Sequence, residues 1–420
     1  MTAAITGIIL FCIIGSFLSN IAFLLGSTSC FCDIEDLYFI IFTEVKVVNC
    51  TWFRMDKIKE PLVTFGVLTD VQYADCDDRP AAYDPSKVRF YRGSLSQVDQ
   101  AFKHWNNSHL KVKFVLQLGD IIDGLNHSLG GSYTALQNTL EHFERHSSIP
   151  TFHTVGNHEL YNFNRNELAQ LFYESVMKIN IPPEVFCPYK PQKENLELVA
   201  PILYYKFCPV KSLKCISLDC FDISVLGYDT HHPSYKEASA ILTTMHGHNV
   251  FDDWDCNGTL EGLDVRFQQM NGAVGAEQME WLDRELKESD ELGQKVIVFG
   301  HVSLCPDSTD WSCLLWNYDE VMNIFHRYKC VVAYFSGHSH VTGYARDSHG
   351  ISYIVFTGIV ETPPETSAFS TVSVYEDRVE VNGHGLENSY ILPFQMSNEE
   401  SDSVVDNDLE TTPTTVRVQV

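Results

Sequence analysis

Six short, nearly continuous apolar runs recur along the chain, at 63–68, 112–118, 151–155, 215–218, 296–299 and 331–335. Runs of this length without polar alternation predict strands covered on both faces, as in a largely parallel sheet. Between them apolar residues fall at helical spacing over 86–105, 133–145, 167–177, 277–292 and 318–328. Strand and helix thus alternate, and an α/β fold is expected. Further on, 353–358 and 370–381 alternate apolar and polar residues, with Glu376-Asp377-Arg378 reading as a hairpin turn, so a second sheet closing a sandwich is expected. The weakly periodic stretch 224–275, aromatic and containing His and Gly, reads as an insertion over a site rather than as scaffold. No internal repeat at solenoid spacing is present.

The ends of the chain differ from this pattern. No charged residue occurs from Met1 to Cys32, and residues 5–25 form an apolar run of about 20 residues, the length that crosses a bilayer. No basic residue precedes the run, so it lacks the n-region of a secretory signal. Residues 1–54 therefore read either as a membrane-anchoring extension or as sequence upstream of a true start at Met55. Residues 397–420 are rich in Ser, Thr, Asp and Glu and lack aromatics, so they cannot bury enough surface to offset their ordering entropy. A disordered acidic tail is expected there, and a catalytic domain over 62–395.

At 420 residues, 45% hydrophobic and 20% charged, the chain can bury a large core. Its formal net charge of −26 argues against nucleic-acid binding, which relies on clustered Lys and Arg. An anionic substrate would need local neutralisation by metal. The 13 cysteines are scattered, odd in number and without a Cys-x-x-Cys spacing, which fits reduced thiols in the cytoplasm. Membrane anchoring is the alternative if 5–25 is a real span. Sequons at Asn49, Asn106, Asn126 and Asn257 carry little weight outside a secreted chain.

Candidate chemistry gathers just past the apolar runs, in Asp70-Val-Gln72, Gly119-Asp120-Ile-Ile-Asp123, Gly156-Asn157-His158-Glu159, Gly300-His301 and Gly337-His338-Ser-His340. Open α/β sheets build their sites in loops at the carboxyl ends of strands, so five tips bearing hard oxygen or imidazole donors imply one convergent two-metal phosphoesterase site. If the chain stays extended, Asp70 and Gln72 share a face, as do His338 and His340, through the period of two. Gly119 permits close approach to an ion, and Asp120 can bridge two cations. Asp123 reads as support for a neighbouring group. Asn157 can bind metal through its carbonyl oxygen, leaving His158 free of metal to contact a phosphate or protonate a leaving oxygen. Taken singly, Asp-x-Gln is more often a cap, Asn-His a turn and a buried His a satisfied core residue; only their order and company reverse this. His231, His232, His246, His248 and His326, without carboxylate company, are expected to bind no metal.

Taken in order, these segments resemble the calcineurin-like metallophosphoesterase superfamily, whose pattern is Asp-x-His, Gly-Asp-x-x-Asp, Gly-Asn-His-Asp/Glu, Gly-His and Gly-His-x-His. Gln72 stands where most members have His. With Val71-Gln72-Tyr73-Ala74-Asp75, Phe90-Tyr91-Arg92, Trp105-Asn106 and Cys313-Leu-Leu-Trp316-Asn317-Tyr318, the chain looks like the manganese-dependent ADP-ribose/CDP-alcohol diphosphatase branch. The resemblance implies a four-layer α/β/β/α sandwich with two divalent ions. One ion would be held by Asp70, Gln72, Asp120 and His340, the other by Asp120, Asn157, His301 and His338. A hydroxide held between them would attack phosphorus in line, with His158 protonating or stabilising. The implied reaction splits ADP-ribose, CDP-choline or CDP-glycerol into a nucleoside monophosphate and a phosphorylated sugar or alcohol. The amide oxygen of Gln72 hardens the first site and favours Mn2+ or Mg2+, while three imidazoles still suit Zn2+ or Fe2+; Mn2+ is the expectation. Cys313 and Tyr83 are expected to line the substrate pocket, and a monomer is expected.

Two rivals inside the superfamily lack their marks: Gly124 and Leu125 follow Asp123 where a protein Ser/Thr phosphatase carries Arg, and Asp123 stands where a purple acid phosphatase needs Tyr. A cyclic-nucleotide phosphodiesterase stays open as an alternative, although those usually keep His in the first motif. A membrane-anchored binding protein without catalysis is the reading from another class. Such proteins usually lose metal ligands, and here only Gln72 deviates.

Overall fold

The computed structural model describes residues 60–146, 148–177, 201–249, 251 and 260–394. The extension 1–54, the tail 397–420 and the sequons at Asn49 and Asn257 lie outside these residues. Among the described residues no helix is long and apolar enough to cross a membrane.

The run Val63–Leu68 forms strand β1, buried at every position. A two-residue ribbon of β2 (Arg79–Pro80) and β3 (Val88–Arg89) follows, where helical spacing had predicted a helix from residue 86. The reason is local: the Ser86 backbone N–H and hydroxyl both donate to Asp84 Oδ1, at 3.0 and 2.7 Å, in a turn that feeds a strand. Helix α1 therefore begins at Gly93 (Gly93–Asn107) and turns Val98, Ala101, Phe102 and Trp105 inward at helical spacing. Strand β4 (Val112–Gln117), helices α2 (Leu125–Ser128) and α3 (Ser132–Glu144), strand β5 (Thr151–His153) and helices α4 (Asn157–Asn162) and α5 (Arg165–Met177) complete the first half.

In the second half β6 (Tyr205–Val210) and β7 (Leu213–Ser217) precede a helix, α6 (Pro233–His246), inside the stretch read as a weakly periodic insertion. Its start was legible: Pro233 sits in the first turn and His232 accepts the Ser234 N–H. Ala238 and Leu242 of α6 pack with Phe267, Ala273 and Trp316 in a small core of their own. Helix α7 (Ala276–Glu291), β8 (Lys295–Phe299), α8 (Tyr318–Phe325), β9 (Val331–Ser336), β10 (Gly343–Arg346) and β11 (Ser352–Val355) follow. The chain then returns to the first sheet with β12 (Ala368–Val374), β13 (Arg378–Gly385) and β14 (Tyr390–Pro393).

The strands form two sheets in the orders β14-β13-β12-β1-β4-β5 and β10-β11-β9-β8-β7-β6. In the first, β1, β4 and β5 run parallel; in the second, β7, β8, β9 and β11 do. The inner faces meet through aromatics: Phe152 of β5 stacks on Phe207 of β6 with centroids 3.9 Å apart, and Phe114 of β4 meets Phe207 edge-on at 5.2 Å. Helix α1 covers the outside of the first sheet, where Trp105 Nε1 donates to Thr371 Oγ1 at 3.2 Å. A Cβ at Gly66 would strike that indole, which is why β1 carries a glycine. Helix α7 packs on β8 outside the second sheet and α8 packs on α7, giving the four-layer α/β/β/α sandwich. Every apolar layer is buried between a sheet and its neighbour, so the ends of the parallel strands are left to carry the polar chemistry.

Candidate metal centre

The carboxyl ends of β1, β4, β5, β8 and β9 converge. His301, after β8, donates Nδ1–H to Leu118 O at 2.8 Å, and the His338 N–H, after β9, donates to Asp70 Oδ2 at 3.1 Å, so the two sheets are stitched at this edge. Asp70, Gln72, Asp120, His338 and His340 all have left-handed backbone, with φ of 50°, 40°, 57°, 72° and 60°. That conformation costs a non-glycine residue roughly 1–2 kcal/mol. Backbone bonds hold it in place: Asp70 N–H to Gly119 O at 3.1 Å, Gln72 N–H to Asp120 O at 2.8 Å and Val360 N–H to Asp70 O at 2.9 Å. The expectation that each pair shares a face along an extended chain is thus corrected. Tight left-handed turns, not the strand period, turn Asp70 with Gln72 and His338 with His340 toward one point.

Around Asp120 the donors fall into two groups. On one side Gln72 Nε2 donates to Asp120 Oδ2 at 3.0 Å and lies 2.9 Å from His340 Nε2, which is 3.3 Å from Asp70 Oδ1. On the other, His301 Nε2 is 3.2 Å from Asp120 Oδ2, 3.1 Å from Asn157 Oδ1 and 3.2 Å from His338 Nδ1. Each imidazole has an acceptor behind it that fixes which nitrogen faces the centre: Leu118 O for His301, Asn271 Oδ1 at 2.8 Å for His338 and Glu361 Oε1 at 2.7 Å for His340. Gln72 Oε1 is buried without a hydrogen-bond partner, and Asp70 Oδ1 is buried with only the His340 imidazole near it, at 3.3 Å. Orphaned buried oxygens beside carboxylate and imidazole donors are what a divalent cation satisfies, so the donor set fits a pair of ions.

The carboxylates and imidazoles of the site are also paired with one another. Burial opposes ionisation of Asp70 and Asp120, yet His340 beside the first and His301 beside the second hold both carboxyls below their ordinary range. Burial likewise works against charge on His301 and His340, but Asp120 raises the first and Asp70 together with Glu361 the second, each to about 9. His338 is pushed down to about 3 by burial and by His301, which leaves it neutral and able to bind a cation.

His158 sits at the rim, its Nε2 3.9 Å from Asp120 Oδ2, while the Gly124 N–H donates to its Nδ1 at 2.8 Å. In the neutral ring that bond leaves the proton on Nε2, toward the centre; in the charged ring Nδ1–H faces Asp123 Oδ2 instead. Burial alone would lower its pKa, but Asp120 and Asp123 raise it. Asp123 lies behind it, Oδ2 3.3 Å from Nδ1, and accepts from Arg89 at 3.3 Å. Glu159 has the scaffold role: its carboxylate accepts the N–H groups of Gly156, Asp120 and Ile121 at 2.7, 2.9 and 2.7 Å, clamping the Gly119 and Gly156 loops together. A Cβ at Gly156 would fall on the Asp120 carboxylate.

Above the centre lies a cavity of about 660 Å3. Tyr83, Lys87 and Arg89 form one wall; Met270, Asp307 and Cys313 contribute to the rest. Both residues expected at the pocket, Tyr83 and Cys313, line it. Burial pushes the Cys313 thiol up to about 12, so it is a neutral wall residue and not a nucleophile. Asn271, Glu361, Glu159 and Arg89 were not anticipated as site residues. Asn271 and Glu361 come from segments without a motif, whereas Glu159 stands inside one.

One expectation about the remaining histidines is corrected. His326 does have carboxylate company: its Nε2 is 2.8 Å from Asp347 Oδ2, with the His349 ring stacked on it at 3.7 Å and 14°. Asp347 is already saturated, its Oδ1 accepting the His349 and Ile351 N–H groups and its Oδ2 accepting from Tyr353 and His326. The cluster is a clasp between α8 and the β10–β11 turn.

Residues 63–342 match the calcineurin-like phosphoesterase family. The chain is 37% identical over 331 residues to the manganese-dependent ADP-ribose/CDP-alcohol diphosphatase of Xenopus tropicalis, covering 79% of this chain and 94% of that relative. It is 35% identical over 336 residues to the Homo sapiens protein of the same name, covering 80% and 94%. The crystal structure of a dimetal phosphatase from Danio rerio is similar with a TM-score of 0.70 at 31% identity, over 80% of this chain and 100% of the other. Motif order, sandwich and relatives agree, and the chain belongs to the calcineurin-like phosphoesterase family, within the group of the manganese-dependent ADP-ribose/CDP-alcohol diphosphatases.

Proposed function

We infer that this protein is a metal-dependent hydrolase of nucleoside diphosphate conjugates such as ADP-ribose, CDP-choline and CDP-glycerol, releasing a nucleoside monophosphate and a phosphorylated sugar or alcohol. The observation that carries the reading is Asp120, whose single carboxylate touches both donor groups at the floor of the 660 Å3 cavity. Asp70, Gln72, Asp120 and His340 would hold one Mn2+, and Asp120, Asn157, His301 and His338 the other. When bound, such a pair supplies Lewis acidity that neutralises phosphoryl charge and makes water nucleophilic at neutral pH. The chain's own groups do the rest. His158, charged with Asp123 Oδ2 3.3 Å from its Nδ1, would give the leaving oxygen a proton from Nε2 and be left as the neutral ring. Lys87 and Arg89 offer the second phosphate of the anhydride two cations. Tyr83 and Cys313 give the apolar surface against which the rest of the substrate is held.

The catalytic unit is residues 62–395, working as a cytoplasmic monomer. The test is Mn2+-dependent release of nucleoside monophosphate from ADP-ribose and CDP-choline, run beside cyclic AMP. Turnover of the diphosphates and not of the cyclic nucleotide supports the reading. The reverse pattern would make the protein a cyclic-nucleotide phosphodiesterase.

A further inference from the structure

We propose that Glu361 is a positioning residue serving both halves of the site at once, the ion-binding floor through His340 and the cationic pocket wall through Tyr83 and Lys87. The inference rests on the two-metal reading. Glu361 ends a short 3-10 turn, Ile359–Glu361, that follows β11 and leads back toward the first sheet. Its Oε1 stands 2.7 Å from His340 Nδ1 and accepts from Arg89 Nε at 3.4 Å. Its Oε2 accepts the Tyr83 hydroxyl at 2.5 Å and lies 3.7 Å from Lys87 Nζ. Lys87 in turn donates to the Tyr83 hydroxyl at 3.2 Å and sits over the Tyr83 ring, 5.2 Å from its centroid. The four lone-pair directions of one carboxylate are thus divided between one metal-facing imidazole and three residues that line the cavity.

Two consequences follow from ordinary chemistry. A carboxylate behind a ligating imidazole fixes its tautomer and makes it a better donor, and loss of such a partner typically costs metal affinity. On the other side of the wall Asp123 holds Arg89 at 3.3 Å, but Tyr83 is 57% exposed, and its segment is held by the two-residue ribbon of β2 and β3. Without Glu361, Lys87 and the Tyr83 phenol would lose the group that gathers them and Arg89 would keep only Asp123, so the second phosphate of a substrate would meet a less preformed wall.

The test uses the full chain. Mn2+ binding is read from the electron paramagnetic resonance signal of free Mn2+ with no substrate present, and KM for CDP-choline or ADP-ribose is measured separately at saturating Mn2+. Glu361→Ala is expected to weaken one of two Mn2+ sites by about 10- to 100-fold and to raise KM severalfold even with both sites filled. Glu361→Gln keeps an acceptor for the His340 N–H and should recover most of the Mn2+ affinity. Tyr83→Phe should raise KM and leave Mn2+ binding unchanged. Melting of each variant in metal-free buffer separates these effects from misfolding. Unchanged Mn2+ affinity in a folded Glu361→Ala variant, or a KM unmoved at saturating Mn2+, overturns the proposal. If the wild type binds two Mn2+ but turns over neither diphosphate, the substrate reading fails while the binding arm still judges Glu361.

Discussion

The Asp120 carboxylate and the His301 imidazole meet 3.2 Å apart, Oδ2 to Nε2, across the seam between the two sheets. The same oxygen accepts from Gln72 at 3.0 Å, so one side chain ties both donor groups together. Asp120→Asn keeps the shape but removes the charge that two cations would share. At about 1.4 kcal/mol per decade of rate, losing several kcal/mol of charge stabilisation should lower kcat/KM about a thousandfold. Metal analysis by mass spectrometry should find fewer than two Mn2+ per chain. Two bound ions and near-normal turnover would remove Asp120 from its bridging role.

His158 separates acid catalysis from metal binding, because its side chain reaches Asp120 only at 3.9 Å and its Nδ1 is turned away toward Asp123 and the Gly124 backbone. Removing a general acid usually costs 100- to 10,000-fold, and a phosphate ester is already a good leaving group, so the loss in His158→Ala should lie near the lower end, about 100-fold in kcat. Mn2+ stoichiometry should stay at two. A variant that loses an ion instead would make His158 a ligand.

Much of this was legible because the chemistry sits at strand ends. The strand runs fixed where Asp70, Asp120, Asn157, His301 and His338 emerge, and motif order fixed that they meet. The turns were not legible. Left-handed φ at five non-glycine residues is held by bonds such as Asp70 N–H to Gly119 O, between segments about fifty residues apart, and no local pattern encodes it. Asn271 and Glu361 were missed for a related reason. Each lies in an irregular segment and meets the ion-binding floor through a histidine brought to it by the fold, His338 and His340. The Ser86 turn was readable in principle, since Asp84-Pro85-Ser86 is turn chemistry, but the helical spacing beyond it was extended too far back.

Gln72 offers a test of metal choice. Its amide nitrogen lies 3.0 Å from Asp120 Oδ2 and 2.9 Å from His340 Nε2, while Oε1 is buried and unpartnered. Gln72→His exchanges a hard amide oxygen for a softer imidazole, which should move the preference from Mn2+ toward Zn2+. Activity profiles with each metal, and competition between the two ions monitored by metal analysis, should show the ratio shifting by about tenfold or more, the equivalent of about 1.4 kcal/mol. An unchanged Mn2+ preference would mean that Gln72 does not contact an ion.

Stability should carry a pH dependence from a group away from the metal centre. Glu387 is buried, accepts the Thr357 N–H at 2.7 Å, and burial pushes its carboxyl up to about 8. In the unfolded chain the same carboxyl titrates near its ordinary value of about 4.3. Between those values the folded protein keeps a proton that the unfolded chain releases, so the folded state binds more protons and stability falls as pH rises through this window. Below it the carboxyl is neutral in both states and costs nothing further; above it the cost is constant. The full effect is on the order of several kcal/mol at most. Glu387→Gln keeps an acceptor for the Thr357 N–H and cannot ionise. Urea unfolding at fixed metal concentration should therefore find the variant closest to wild type near pH 4 and progressively more stable than wild type toward pH 8. His301 and His340 also titrate across part of this range, but they are common to both proteins and cancel in the difference. Parallel stability curves from pH 5 to 8 would mean that Glu387 is ionised throughout and that its burial is compensated by a partner other than Thr357.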